Sequence, residues 1–210
     1  MPHWEKELGL YFITFHLADS LPRPVLEKMV ERQRILEAAK RCGAHLLPGQ
    51  KVLISEYSPK EIEEYMDRGI GACPLRDPRI AELVANSLRL WHGTRYRLVA
   101  WCVMPNHVHV ICRLLPGQEL AAVLRSWKTY TARMANRILG RSGQFWQREY
   151  YDRLIREEGE FDRAVEYVLS NPERAGLKGW RWVWSAVQGA STSDVPPNSS
   201  PAVPPASTPV

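Results

Sequence analysis

Apolar positions along the chain recur with two periods, and the switches between them lay out the elements. Leu10-Tyr11-Phe12-Ile13-Thr14-Phe15-His16-Leu17 is dense in aromatic and β-branched residues and predicts a strand. From about Pro24 to Arg41 the spacing turns helical: Leu26, Met29, Val30, Gln33 and Leu36 share a stripe, and Pro24 suits the first turn. Residues 43–76 hold short apolar pieces and Gly69-Ile70-Gly71, which read as an insertion with turns. Asp77 as N-cap and Pro78 in the first helical position open a second helix. Its stripe is Ile80, Leu83, Val84, Ser87, Leu88 and Trp91, and His92-Gly93 ends it.

Two strands follow, Tyr96 to Met104 and His107 to Leu114, with Pro105-Asn106 as the turn between them. A helix is expected from about Gln118 to Leu139, then a loop at Gly140-Arg141-Ser142-Gly143. Tyr150 to Ile155 alternates weakly and reads as a fourth strand. Glu160 to Ser170 reads as a last helix, stopped by Pro172. No internal repeat is visible. The order of elements predicts an α+β protein with a ferredoxin-like antiparallel sheet and helices packed on one side of it. Residues 1–185 form the expected domain, with an inserted helical segment inside 43–95. From residue 186 to 210 the composition falls to Ser, Pro, Ala, Thr and Val, which cannot build a core and predicts a disordered tail.

Composition narrows the function only a little. The net charge of +5 favours an acidic partner without naming one. No apolar run is long enough to cross a bilayer, and the first residues lack the apolar core of a signal peptide, so a cytoplasmic protein is expected. Cys42, Cys73, Cys102 and Cys112 lie outside any CxxC spacing and read as buried free thiols.

Candidate chemistry begins with His107-Val108-His109. On a strand these two imidazoles point to the same face while Val108 and Val110 point into the core. Neighbouring imidazoles can chelate one divalent ion and leave positions open for substrate oxygens. The spacing alone also fits surface or hydrogen-bonded histidines. Desolvating two of them at the end of an apolar strand pair without partners is costly, which favours the ligand reading. On the last helix Phe161, Ala164, Val165, Val168 and Leu169 make an apolar face, and Arg163, Tyr167 and Asn171 fall beside it as a polar stripe. Tyr167 there fits plain amphipathic packing. It also fits a nucleophile eased by a metal that polarises a phosphate and by a nearby cation, with the Asn171 carbonyl as a third metal ligand.

Three collinear stretches sharpen the choice. Met104-Pro105-Asn106-His107-Val108-His109 resembles the HUH motif, and Phe145-Trp146-Gln147-Arg148-Glu149-Tyr150-Tyr151-Asp152 resembles the WQ-plus-aromatic strand that follows it in one family. Glu166-Tyr167-Val168-Leu169-Ser170-Asn171-Pro172-Glu173-Arg174-Ala175-Gly176 resembles its tyrosine helix. Together, over roughly residues 8–180, they resemble the REP-associated tyrosine transposases, within the single-tyrosine HUH transposases of bacterial insertion sequences. The resemblance implies a ferredoxin-like HUH-endonuclease domain acting on single-stranded or hairpin DNA, close to the bacterial nucleoid, as monomer or homodimer. It makes His107, His109 and Asn171 ligands of Mg²⁺ or Mn²⁺ and Tyr167 the nucleophile of a 5′-phosphotyrosine intermediate.

The stretch from Arg125 to Arg156 holds eight Lys or Arg against two Asp or Glu. Arg125, Lys128, Arg133, Arg137, Arg148 and Arg153, with Arg163 on the last helix, are the candidate phosphate contacts. The interleaved Trp127, Tyr130, Phe145, Trp146, Tyr150 and Tyr151 could stack on unpaired bases or serve the core. Three functions remain open on these residues: a metal-dependent strand nickase and transferase, a domesticated hairpin-binding protein that does not cut, and a phosphodiester hydrolase using water.

Overall fold

The computed structural model describes residues 8–42, 47–56 and 59–186. The elements run β1 (Leu10–His16), α1 (Arg23–Cys42), α2 (Pro48–Glu56), α3 (Pro59–Asp67), a 3-10 turn at Pro74–Arg76, α4 (Pro78–Arg89), β2 (Tyr96–Val103), β3 (His107–Leu114), α5 (Leu120–Ile138), β4 (Tyr151–Ile155), α6 (Glu158–Arg174) and β5 (Val183–Ser185). The strands form one antiparallel sheet in the order β4-β1-β3-β2-β5. Without β5 the order is 4-1-3-2, and the chain passes β-α-β-β-α-β through α4 and α5. That is the expected ferredoxin-like plan. Helices α1 to α3 are inserted into its first crossover, and α6 with β5 follows it.

Alternation along the strands divides the residues between two faces. Tyr11, Ile13, Phe15, Trp101, Val103, Val108 and Val110 pack with α4 and α5 in the larger core. Each such burial contributes about 1.5–3 kcal/mol. The packing of helices on one side therefore holds for the two crossover helices. Helix α6 lies across the other face, on Phe12, Ala100, Cys102 and Ile111. A bulge between Leu98 and Ala100 resets the alternation of β2, so that Leu98 faces the first core and Ala100 the second.

Asp77 caps α4 as expected, its side chain accepting from the Arg79 N–H. Three expectations need correction. Residues 43–76, read as an insertion with turns, hold two helices, α2 and α3, besides the 3-10 turn. Pro172 does not stop α6; it sits buried inside the last turn, and the helix runs on to Arg174 before Gly176 takes φ +71°. A proline near a helix end removes one backbone bond, and burial of its ring offsets that loss. The strand β5 escaped the pattern because three residues, Val183-Trp184-Ser185, are too few to show a period. Cys73, Cys102 and Cys112 are free and buried as expected. The expected tail lies outside the described residues, apart from Ala186. Among the described residues no helix is long and apolar enough to cross a membrane.

Candidate active site

The tight turn at Pro105-Asn106 and the register of β3 put both histidines on the α6 face, at one end of the sheet. His107 and His109 are almost wholly buried, and their Nε2 atoms are 3.0 Å apart. Each ring is held from behind. Asn106 Oδ1 lies 2.8 Å from His107 Nδ1, while its Nδ2 donates to the carbonyls of Met66 and Ile70. Because that amide oxygen can only accept, His107 must carry its proton on Nδ1 and present a bare Nε2. Thr14, directly across from His109 in the β1–β3 register, places its hydroxyl 2.8 Å from His109 Nδ1. A hydroxyl can donate or accept, so this bond serves either tautomer of His109.

Burial keeps both rings neutral. It lowers the His107 pKa well below the ordinary value, helped by the neighbouring imidazoles. It takes His109 down to about 3, with the Arg174 guanidinium adding to the effect. Neutral imidazoles suit a cation: His107 offers a bare Nε2, and His109 offers one beside it when the Thr14 hydroxyl accepts from its Nδ1. Two ligands at right angles around a hard divalent ion at ~2.1 Å stand about 3 Å apart, which is the spacing seen here.

Helix α6 brings its tyrosine to the same place in the same chain. The Tyr167 ring meets the His109 ring edge-on with centroids 5.3 Å apart, and Phe12 in the same manner at 5.9 Å. Its Oη is sealed from solvent. The Arg174 guanidinium lies over its ring, 5.0 Å from the centroid. One turn along, Asn171 is fully buried, and neither its Oδ1 nor its Nδ2 has a hydrogen-bond partner. This corrects the polar stripe read from the sequence. Asn171 faces inward with the core residues, Tyr167 is half-buried at the edge, and Arg163 points out with its guanidinium against Gly159. The cation at the tyrosine is Arg174, seven residues on along the helix, where two turns return to the same side.

An unanticipated carboxylate completes the group. Asp67, the last residue of α3, has Oδ1 3.7 Å from His107 Nε2. That oxygen is sealed from solvent without a hydrogen-bond partner of good geometry. Burial pushes the Asp67 pKa up, against the pull of Arg174 and of the nearby Asn171 amide. Among the described residues no three His, Cys, Asp or Glu side chains close on a single point. Asn171, an amide, falls outside that set of residue types.

Residues 79–171 match the family model described as transposase IS200 like. The family resemblance read from the three motifs is borne out. The IS200-like segment contains His107, His109, Tyr167 and Asn171, and leaves out Thr14, Asp67 and Arg174. A protein of Haemophilus influenzae named as a REP-associated tyrosine transposase is 26% identical over 99 residues, which are 40% of this chain and 56% of that protein. The chain thus spans about half the length of this curated relative. A solved REP-associated tyrosine transposase bound to a REP hairpin is 16% identical, with a TM-score of 0.45 over 84% of this chain and 76% of its own. A solved protein of Deinococcus radiodurans R1, named as a transposase, is 13% identical, with a TM-score of 0.35 over 81% and 95%.

The basic candidates in and around the IS200-like segment divide in space. Arg125, Arg133 and Arg137 are exposed on α5, on the far side of the sheet from the histidines. Lys128 is turned inward, donating to the Arg148 carbonyl at 2.7 Å and lying over the Tyr150 ring. Arg148 is exposed on the loop before β4. Arg153 is exposed on the histidine face, over the Phe12 ring and 3.2 Å from Glu160. Trp127, Phe145 and Trp146 belong to the core and offer no stacking surface; of the six aromatics, Tyr130 is an exposed one. Asn106 and Arg174 lay inside motifs already noted, where their spacing to His107 and Tyr167 was the available signal. Thr14 could have been found by pairing β1 with β3, and nothing in the sequence marked Asp67.

Proposed function

We propose that the protein is a metal-dependent DNA strand transferase that cuts single-stranded or hairpin DNA through Tyr167 and rejoins it. The reading is supported above all by one observation: Tyr167 packs directly on His109, while Asn171, a turn away, buries its amide beside Asp67, which in turn lies 3.7 Å from His107.

In this reading His107, His109 and Asn171 hold Mg²⁺ or Mn²⁺. The donors fit, with two neutral imidazole nitrogens at cis-ligand spacing and an amide oxygen lacking any other partner. The ion, when bound, supplies positive charge to the phosphate oxygens. Asn106 and Thr14 keep the rings aimed, a role outer-sphere partners commonly have. The Tyr167 Oη attacks phosphorus and the bond from phosphorus to the 3′-oxygen breaks. One P–O bond replaces another, and the phenol proton ends on the released 3′-hydroxyl. The 5′-phosphotyrosine keeps the bond energy for the return attack by a 3′-hydroxyl. Arg174, against the ring face, favours the negative charge that develops on the phenol oxygen. The exposed Arg153 and Arg148 are placed to meet backbone phosphates on this side; Arg125, Arg133 and Arg137 would meet a different part of a folded substrate.

The test is covalent trapping. The protein is incubated with labelled hairpin DNA and Mn²⁺ and run on a denaturing gel. A shifted band that disappears in Tyr167→Phe is expected. Cutting that persists in Tyr167→Phe assigns the reaction to water, and binding without any cutting assigns the protein to hairpin recognition alone.

A further inference from the structure

Helix α3 belongs to the insertion before α4 and lies outside the IS200-like segment, yet its last residue reaches the histidines. What brings it there is Asn106. The amide whose oxygen fixes the His107 tautomer uses its two N–H groups to hold the carbonyls of Met66 and Ile70, on either side of Asp67. One side chain therefore positions both a bare imidazole nitrogen and a carboxylate. Met66 and Ile62 anchor the same helix in a small apolar cluster with Leu21 and Val25. The placement of Asp67 is thus built in, not a chance of a loose surface helix.

Only the Arg174 charge and the Asn171 amide draw on the carboxylate, and burial outweighs both. A buried carboxylate is costly unless a cation or several donors meet it. Here Oδ1 has no hydrogen-bond partner, and the nearest basic atom, His107 Nε2 at 3.7 Å, is a bare acceptor on a neutral ring. Two bare acceptors facing each other repel, and a cation between them removes the repulsion. The separation exceeds the ~3 Å of cis ligands on a small divalent ion by less than an ångström.

We propose that Asp67 is a further metal ligand of this chain, an anionic oxygen donor supplied by the insertion to the His107–His109 site. It rests on the metal-dependent reading above. The consequence is chemical. His107, His109 and Asn171 make a neutral donor set that suits softer imidazole-loving ions, and a carboxylate makes it anionic and shifts it towards the hard ions Mg²⁺ and Mn²⁺.

The experiment is direct Mn²⁺ titration of the full chain without DNA, read by calorimetry and by the loss of the free Mn²⁺ resonance signal. Asp67→Asn should weaken Mn²⁺ binding at least about tenfold, keep the metal-free melting temperature or raise it, and change the preference towards Zn²⁺. His107→Ala serves as the reference for a lost ligand. A second measurement needs no substitution: protein carrying ¹³C at its aspartate carboxyls should show a ¹³C hyperfine coupling to bound Mn²⁺. If Asp67→Asn binds Mn²⁺ as the unaltered protein does, or the labelled protein shows no coupling, the role of Asp67 is overturned. The metal reading itself still stands in that case, provided His107→Ala abolishes binding. Unaltered protein that takes up no Mn²⁺ overturns both.

Discussion

The same five strands present two faces of opposite character. On the α4–α5 face the polar atoms of the large aromatics are mostly satisfied. Tyr96 donates to the Leu88 carbonyl at 2.7 Å and accepts from Trp127 Nε1 at 2.8 Å. Trp146 Nε1 donates to the Thr131 hydroxyl, which donates to the Trp127 carbonyl. Trp101 Nε1 is an exception, buried without a hydrogen bond. On the α6 face two neutral histidines converge, and the Asn171 amide and an Asp67 oxygen are buried with nothing to bond. A satisfied polar network holds a fold together, whereas an unsatisfied one costs stability until something fills it. The first face is built to persist, and under the proposed function the second is built to receive.

That contrast can be broken by experiment. Trp127→Ala should cost the most stability, about 3–5 kcal/mol, in a denaturant titration, with Mn²⁺ affinity of the remaining folded protein unchanged. A matching loss of Mn²⁺ affinity would show that the faces are not independent. Acid should attack the other face. Burial holds His109 at about 3 and His16 at about 4, against 6.5 when free. The unfolded chain takes up these protons first, so the stability is complete above that value and drains as the pH falls towards 4 and 3. At about pH 5.5 the metal-free protein should have lost about 1.4 kcal/mol for each of the two, and a flat stability from neutral pH to that point would contradict their burial. Tyr96→Phe removes the hydroxyl that joins Leu88 to Trp127 and should cost about 1–3 kcal/mol. Asn171→Leu should do the reverse, raising metal-free stability by about 1 kcal/mol while Mn²⁺ binding falls at least about tenfold. A destabilised Asn171→Leu would mean the amide is already satisfied.

The sequence made the sheet legible because apolar alternation and helical spacing are local signals. The histidine face followed from period two, since His107 and His109 must share a side when Val108 and Val110 take the other. Burial of Asn171 was misread because its neighbours in the helical projection mattered less than where α6 crosses the sheet. Arg163 was favoured over Arg174 for the same reason: both lie within two turns of Tyr167, and only packing decides which one turns back towards the ring. The α5 arginines looked contiguous with the site because chain order placed them between its motifs, but the crossover carries α5 to the opposite face. Asp67 had no local signature at all. Its placement depends on a hydrogen bond between residues forty apart.

Helix α6 follows β4, after the β-α-β-β-α-β unit is complete. Domains emerge from the ribosome N-terminus first, at several residues per second, so four of the five strands and both histidines are made before Tyr167 is. Under the proposed chemistry a half-made chain, or one cut short by a frameshift after Ile155, would hold both histidines without the nucleophile and could not nick DNA. In that reading the last helix is the arming step of the molecule, and an incomplete copy is harmless.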